Sequence, residues 1–145
     1  MTAKILEIAD AVVEALNTGV FSLGFTAERA YLPVLDLPGA GVLHVTVVPR
    51  EDRAKLDTRS SSSHEYAIDI GVQEKLTHVD KEHLDPLVEL TQEIADFFLF
   101  GRRFGNATLV APEIRVLYVQ DHLHQLRQFT SVITLTFRAW REASG

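Results

Sequence analysis

A chain of 145 residues with 46% hydrophobic and 23% charged side chains is long enough to bury one core, and it reads as one globular domain, 1–145, rather than a disordered or fibrous chain. It contains no cysteine, which excludes disulfides, thiol nucleophiles and thiolate-bound metal. The formal net charge is −6, divided as −3 over residues 1–49, +1 over 50–64, −7 over 65–100 and +3 over 101–145; tight duplex binding calls for concentrated Lys and Arg and is therefore not expected.

Residues 3–17 place Ile5, Ile8, Val12, Ala15 and Leu16 on one face at helical spacing, with Lys4, Glu7, Asp10 and Glu14 largely opposite. Thr2 is the expected N-cap and Asn17-Thr18-Gly19 the expected stop. An amphipathic start of this kind is not an apolar leader, and the longest uncharged run, 15–27, is too short and glycine-rich to span a bilayer. No membrane association is expected. The pattern over 25–32 alternates loosely before Pro33 and suggests an edge strand, and a turn at 38–41 leads into a β-branched strand over 42–48.

A polar arm follows over 50–63, containing Arg50, Arg53, Lys55, Arg59 and the serine run Ser60–Ser63. It is too long for a tight turn and too polar for a core, so it is expected to project toward a partner and to order on contact. After it, His64, Tyr66, Ile68, Ile70 and Val72 alternate with Glu65, Ala67, Asp69 and Gly71, a half-buried strand that should pair antiparallel with 42–48. Asp85-Pro86 predicts the start of a second helix, whose stripe of Leu87, Val88, Thr91, Ile94 and Phe98 ends at Gly101. Proline at 86 argues against one unbroken helix from 81.

Two strands are expected near 113–119 and 128–140, the latter with Phe129, Ile133, Leu135, Phe137 and Ala139 on one side and Thr130, Thr134, Thr136 and Arg138 on the other. The order α-β-β-β-α-β-β predicts an α+β fold: two helices packed on a mostly antiparallel sheet of about five strands, with the arm as a long polar hairpin tip.

Catalytic motifs are missing from the sequence. Gly39-Ala40-Gly41 precedes a strand and reads as a turn, and there is neither a phosphate loop nor a nucleophile elbow. Ser63 and His64 are strand neighbours and should point to opposite faces. Asp121, His122 and His124, with alternate histidines on an extended segment, are the best metal candidate, although a polar loop is the simpler reading. His44, His64, His78 and His83 read as strand or surface residues. The sequon Asn106-Ala107-Thr108 matters only after secretion. No catalytic residue, metal or cofactor is expected.

The helix over 5–16, the stretch Ala27-Glu28-Arg29-Ala30-Tyr31-Leu32-Pro33, the arm 50–63, the strand Tyr66-Ala67-Ile68-Asp69-Ile70, the helix after Pro86 and the closing run from Phe129 to Thr136 together resemble the small tail-terminator and tail-completion proteins of long-tailed bacteriophages and prophages. The resemblance covers nearly the whole chain. It implies a structural subunit that assembles with itself into a ring, six-membered by expectation, capping the tail tube protein and joining it to the head–tail connector protein. It also implies a place at the head-proximal end of the virion tail, assembly in the host cytoplasm, and contact with DNA only in passage. Within it, Arg50, Arg53, Lys55 and Arg59 would dock a partner, Glu82, Glu89, Glu93 and Asp96 would line the lumen or an interface, and Arg102 and Arg103 would be the basic counterpart. Other readings are a head–tail connector or neck subunit, a small metal-binding protein using Asp121, His122 and His124, and a generic oligomeric adaptor.

Overall fold

In the computed structural model, which describes residues 3–32, 37–56, 61–99, 103–104 and 107–142, the first amphipathic stripe forms α1, Lys4–Thr18, burying Ile8, Ala9, Val12 and Leu16. The helix ends where the Gly19 N–H bonds the Ala15 carbonyl. Thr2, Pro33, Arg59, Gly101, Arg102 and Asn106 lie outside the described residues, as do 57–60 of the arm.

The expected edge strand shortens to β1, Ala27–Arg29, which runs parallel to β2, Leu43–Leu56, with Ala27 opposite Val45. Residues 30–42 between them are long enough for the return a parallel pair needs. Asn17 secures this edge: its Oδ1 accepts from the Ala27 N–H at 2.7 Å, and its Nδ2 donates to the Ala27 carbonyl at 3.1 Å. Gly41, at φ 82°, makes the turn into β2 and donates its N–H to the Lys75 carbonyl, a left-handed conformation that glycine adopts without the steric cost of a Cβ.

β2 pairs antiparallel with β3, Ser61–Lys75, and β3 pairs antiparallel with β6, Gln128–Glu142. β5, Ala107–Val116, borders β6 and carries the two-residue β4, Arg103–Phe104, on its far side. The sheet order is β1-β2-β3-β6-β5-β4. α2, Lys81–Leu99, lies with α1 on one face. By its main elements this is the α+β fold expected, two helices on a mixed, mostly antiparallel sheet in the order α-β-β-β-α-β-β. Val45, Val47, Tyr66, Ile68, Ile70, Val72, Ile133, Leu135 and Phe137 face the helices and are at most 2% exposed. Each such large apolar side chain contributes about 1.5–3 kcal/mol through burial.

Four expectations change. The arm is mostly sheet: Glu51 to Leu56 pair with Ala67 to Ser62, and Ser61 to Ser63 also pair with Glu142 to Trp140. Polar side chains do not prevent this, because the ladder is made by backbone groups and β6 extends far enough to cover the second side of β3. Residues 51–56 and 61–63 therefore belong to the sheet of the single chain.

The second helix starts at Lys81 and carries Pro86 inside. Asp80 caps it, accepting the His83 N–H on Oδ1 at 3.1 Å and the Leu84 N–H on its carbonyl at 3.0 Å. Pro86 stands near the helix start, so the one carbonyl deprived of its donor belongs to exposed Glu82.

The strand expected over 113–119 is β5, whose register shifts at Leu109/Ala111 and Ile114/Val116 break the period-2 pattern. Finally, His122–Leu126 is a π-helical turn, not an extended segment.

At the α2 cap, Asp80 Oδ1 lies 2.6 Å from His83 Nδ1. This hydrogen bond raises the His83 pKa above its ordinary 6.5 and lowers that of Asp80 below its ordinary 3.8. The histidine's contribution is complete below 6.5 and is lost as pH rises through the raised value; the carboxylate's is complete above 3.8 and is lost as pH falls through the lowered value. An NMR titration is expected to place His83 above 6.5, with Asp80→Asn returning it to the ordinary range and speeding exchange of the amides at the start of α2. A His83 that titrates at or below its ordinary value contradicts this cap.

Candidate functional site

The sheet face away from the helices divides into a closed end and an open end. At the closed end the Leu37 N–H donates to Gln128 Oε1 at 2.9 Å, Gln128 Nε2 donates to Thr130 Oγ1 at 3.1 Å, and His122 Nδ1 lies 2.8 Å from the same hydroxyl. Lys75 Nζ reaches the Leu37 carbonyl at 3.2 Å. The segment after Leu37 and the π-helical turn thus cover Gln73, Gln128 and Thr130, which are all buried. The open end is at the hairpin.

A bulge shapes that end. β2 shifts register between Pro49 and Glu51, so the alternation that sends Val45 and Val47 inward restarts with Asp52 and Ala54 on the helix side and Glu51, Arg53 and Lys55 on the open side. Arg50, the inserted residue, places Nε 2.9 Å from Asp69 Oδ2, and Thr134 Oγ1 donates to Asp69 Oδ1 at 2.8 Å. Arg53 Nε meets Glu51 Oε1 at 2.6 Å, and Arg138 Nη2 meets Glu65 Oε1 at 2.7 Å. The Arg53 hydrogen bond holds the Glu51 carboxyl below its usual range. The exposed pairs, Arg53 with Glu51 and Arg138 with Glu65, are screened by water and arrange charge more than they stabilise the fold.

Beyond these pairs lies an open groove of about 490 Å³ lined by Arg53, Ala54, Lys55, Ser63, Glu65, Arg138 and Trp140. Trp140, the chain's one tryptophan, is 62% exposed. Arg53, Glu65 and Arg138 stand directly opposite one another across β2, β3 and β6. Sequence reasoning found Arg53 and Lys55 but missed Arg138, Glu65 and Trp140. The signal was available in part, since Arg138 and Trp140 share the parity of Thr134 and Thr136, opposite the apolar face of the last strand.

The helix layer has the opposite character. α1 and α2 hold eight carboxylates against two lysines, a surplus equal to the whole chain's formal −6. Glu82, Glu89 and Asp96, seven residues apart, are exposed on α2 with Asp85 between the first two. Glu93 leaves this set: its carboxylate accepts the Ser22 N–H at 2.9 Å and also the Ser22 hydroxyl, clasping the loop after α1. Phe21 supports that clasp by packing against Phe25 and Phe97. Of the expected basic counterparts, Arg102 lies outside the described residues and Arg103 is described only as backbone in β4. Arg50 pairs with Asp69, as Arg53 does with Glu51.

On the helix side of the hairpin, Ser62 Oγ lies 3.2 Å from His64 Nε2, and Asp52 Oδ1 lies 2.9 Å from His64 Nδ1. The order serine, histidine, carboxylate is that of a nucleophilic relay. It was missed because the adjacent Ser63 was weighed instead of Ser62, one strand period away. Ser62 pairs with Leu56 on one side and Arg141 on the other, so the strand's backbone N–H groups serve the ladder rather than an oxyanion hole. His64 also stacks on Tyr66, with ring centroids 5.7 Å apart. These contacts fit a clasp tying the hairpin to its root.

At the opposite end of the molecule, His78, Asp80, His124 and Arg127 line an open concavity of about 500 Å³. His122 and His124, two apart on a helical turn, do not share a face. Among the described residues no three His, Asp or Glu side chains group closely enough to hold a metal ion. No helix there is long and apolar enough to cross a membrane. Comparison with protein-family models and with curated protein sequences finds no match to this chain.

His64→Ala is expected to cost about 1–3 kcal/mol in urea unfolding, because Asp52 and Ser62 lose their shared partner. A fluorophosphonate probe is expected to leave Ser62 unmodified. Covalent labelling of Ser62 that disappears in His64→Ala would overturn the structural role given to this trio.

Proposed function

We propose that the protein is a ring-forming structural subunit of the tail-terminator kind, capping a phage tail tube and meeting the head connector at the head-proximal end of the virion. The observation that carries this reading is the separation of charge across the slab: helices with eight carboxylates against two lysines on one face, and a groove with Arg53, Lys55, Arg138 and Trp140 on the other. Unlike surfaces on opposite faces suit heterologous, head-to-tail contacts, which close into rings when the rotation permits. As such a subunit the chain performs no chemistry of its own.

The sheet edges favour side-chain interfaces over strand addition. Beyond β1, the free edge of β2 carries Pro49, the Arg50 bulge and the charged run Glu51 to Lys55. The free edge of β5 beyond β4 carries Pro112 and two register shifts. Proline, bulges and charge are the devices by which sheets resist edge pairing. A net −6 on each subunit also means that a closed ring repels DNA in passage instead of retaining it.

Light scattering across a concentration series is expected to show a species of about six subunits, ring-shaped by electron microscopy and weakened by added salt. A chain that stays monomeric at every concentration and does not bind the ends of purified tail tubes contradicts the proposal.

A further inference from the structure

We infer, building on the ring assembly proposed above, that the groove around Trp140 receives the acidic outer face of α2 from a second copy of this chain. Trp140 is 62% exposed inside a concave, mixed polar and apolar lining. An exposed tryptophan flanked by arginines is the composition of an interface anchor, because its large area and the guanidinium forks gain most when water is excluded.

Charge selects the occupant. In and beside the groove Arg53, Lys55 and Arg138 face two carboxylates, Glu51 paired with Arg53 and Glu65 paired with Arg138, which leaves a net positive charge centred on Lys55. On α2, Glu82, Asp85, Glu89 and Asp96 are exposed, and no Lys or Arg follows Lys81 in that helix. Spacing agrees as well. Arg53 and Arg138 are two strands apart, directly opposed across Glu65, a separation of about 9.6 Å at ordinary strand spacing. Carboxylates one heptad apart on a helix, Glu82 with Glu89 or Glu89 with Asp96, are separated by about 10.5 Å along the axis. One carboxylate can therefore approach each arginine beside its own partner, Glu51 or Glu65, while the intervening turn covers Trp140.

The contact cannot form within one subunit, since α2 packs on the face of the sheet opposite the groove. It is heterologous by construction, and repetition around an axis gives the ring. Glu89 belongs to both heptad pairs and is the residue on which the contact most depends.

The test compares full-length wild type, Trp140→Ala, Glu89→Arg, and Glu89→Arg combined with Arg53→Glu, by sedimentation over a range of concentrations, with circular dichroism confirming the fold. Trp140→Ala and Glu89→Arg are each expected to raise the association midpoint by about tenfold or more, and the double charge reversal to recover most of the loss of Glu89→Arg. Rings that form equally well in both single variants overturn the groove assignment while leaving ring formation intact. A wild type that never associates instead removes the ring reading beneath it. If Trp140→Ala disrupts association but Glu89→Arg does not, α2 is not the occupant. If a short DNA duplex binds the wild type and is lost with Trp140→Ala while Glu89→Arg has no effect on assembly, the groove is a phosphate site and the inference fails.

Discussion

The rest of the structure depends on β3 being paired along both sides from Ser62 to Glu74, almost its whole length. From Ser61 opposite Glu142 to Lys75 opposite Gln128, every residue has a β6 partner, and β2 covers the other side from Ser62 to Glu74. Such a strand satisfies its backbone groups whatever its side chains are, which allows the ribbon to extend into a charged hairpin. Its phase then sets both faces. Tyr66, Ile68 and Ile70 meet Phe137, Leu135 and Ile133 beneath the helices, while Glu65, Ala67 and Asp69 meet Arg138, Thr136 and Thr134 on the open side.

Where one period persists, the sequence is sufficient to read the element. α1, β6 and the 64–72 part of β3 appear in it because their apolar residues keep a single spacing there, whereas Ser61–Ser63 carry no apolar residue and read as arm. The hidden elements all interrupt a period. The extra residue Arg50 re-phases β2 just where its side chains become polar, β5 changes register twice around Pro112, and Pro86 masks a helix whose start is held by Asp80. Site geometry is harder still to read. The contact of Glu93 with Ser22 spans 71 positions and that of Arg138 with Glu65 spans 73, and no local pattern encodes either. The acidic run on α2 was legible as composition; which of its members face solvent was not, because Glu93, four residues after Glu89 and three before Asp96, is turned only about 40–60° from the line of Glu82, Glu89 and Asp96.

The charged surfaces follow from this scaffold. The helices bury their apolar stripes against the sheet and must present their carboxylates outward, so the layer is anionic as a whole. The sheet's open face is covered at one end by Leu37 and His122 and left bare at the other, where bulge and strand register gather Arg53, Lys55, Arg138 and Trp140. A chain with such unlike faces and defended edges is suited to stacking against copies of itself by side chains. That is the physical basis for reading it as an assembly protein.

The most direct measurement is amide hydrogen exchange, resolved by residue, on the isolated chain. The account predicts slowed exchange for amides in 51–56 and 61–63 that bond within the ladder, continuous with 43–49 and 64–75. Coil-like exchange throughout 51–56 and 61–63, with protection confined to the strand segments over the helices, would contradict it: the hairpin would then be a disordered arm, and the groove around Trp140 would not exist before a partner arrives.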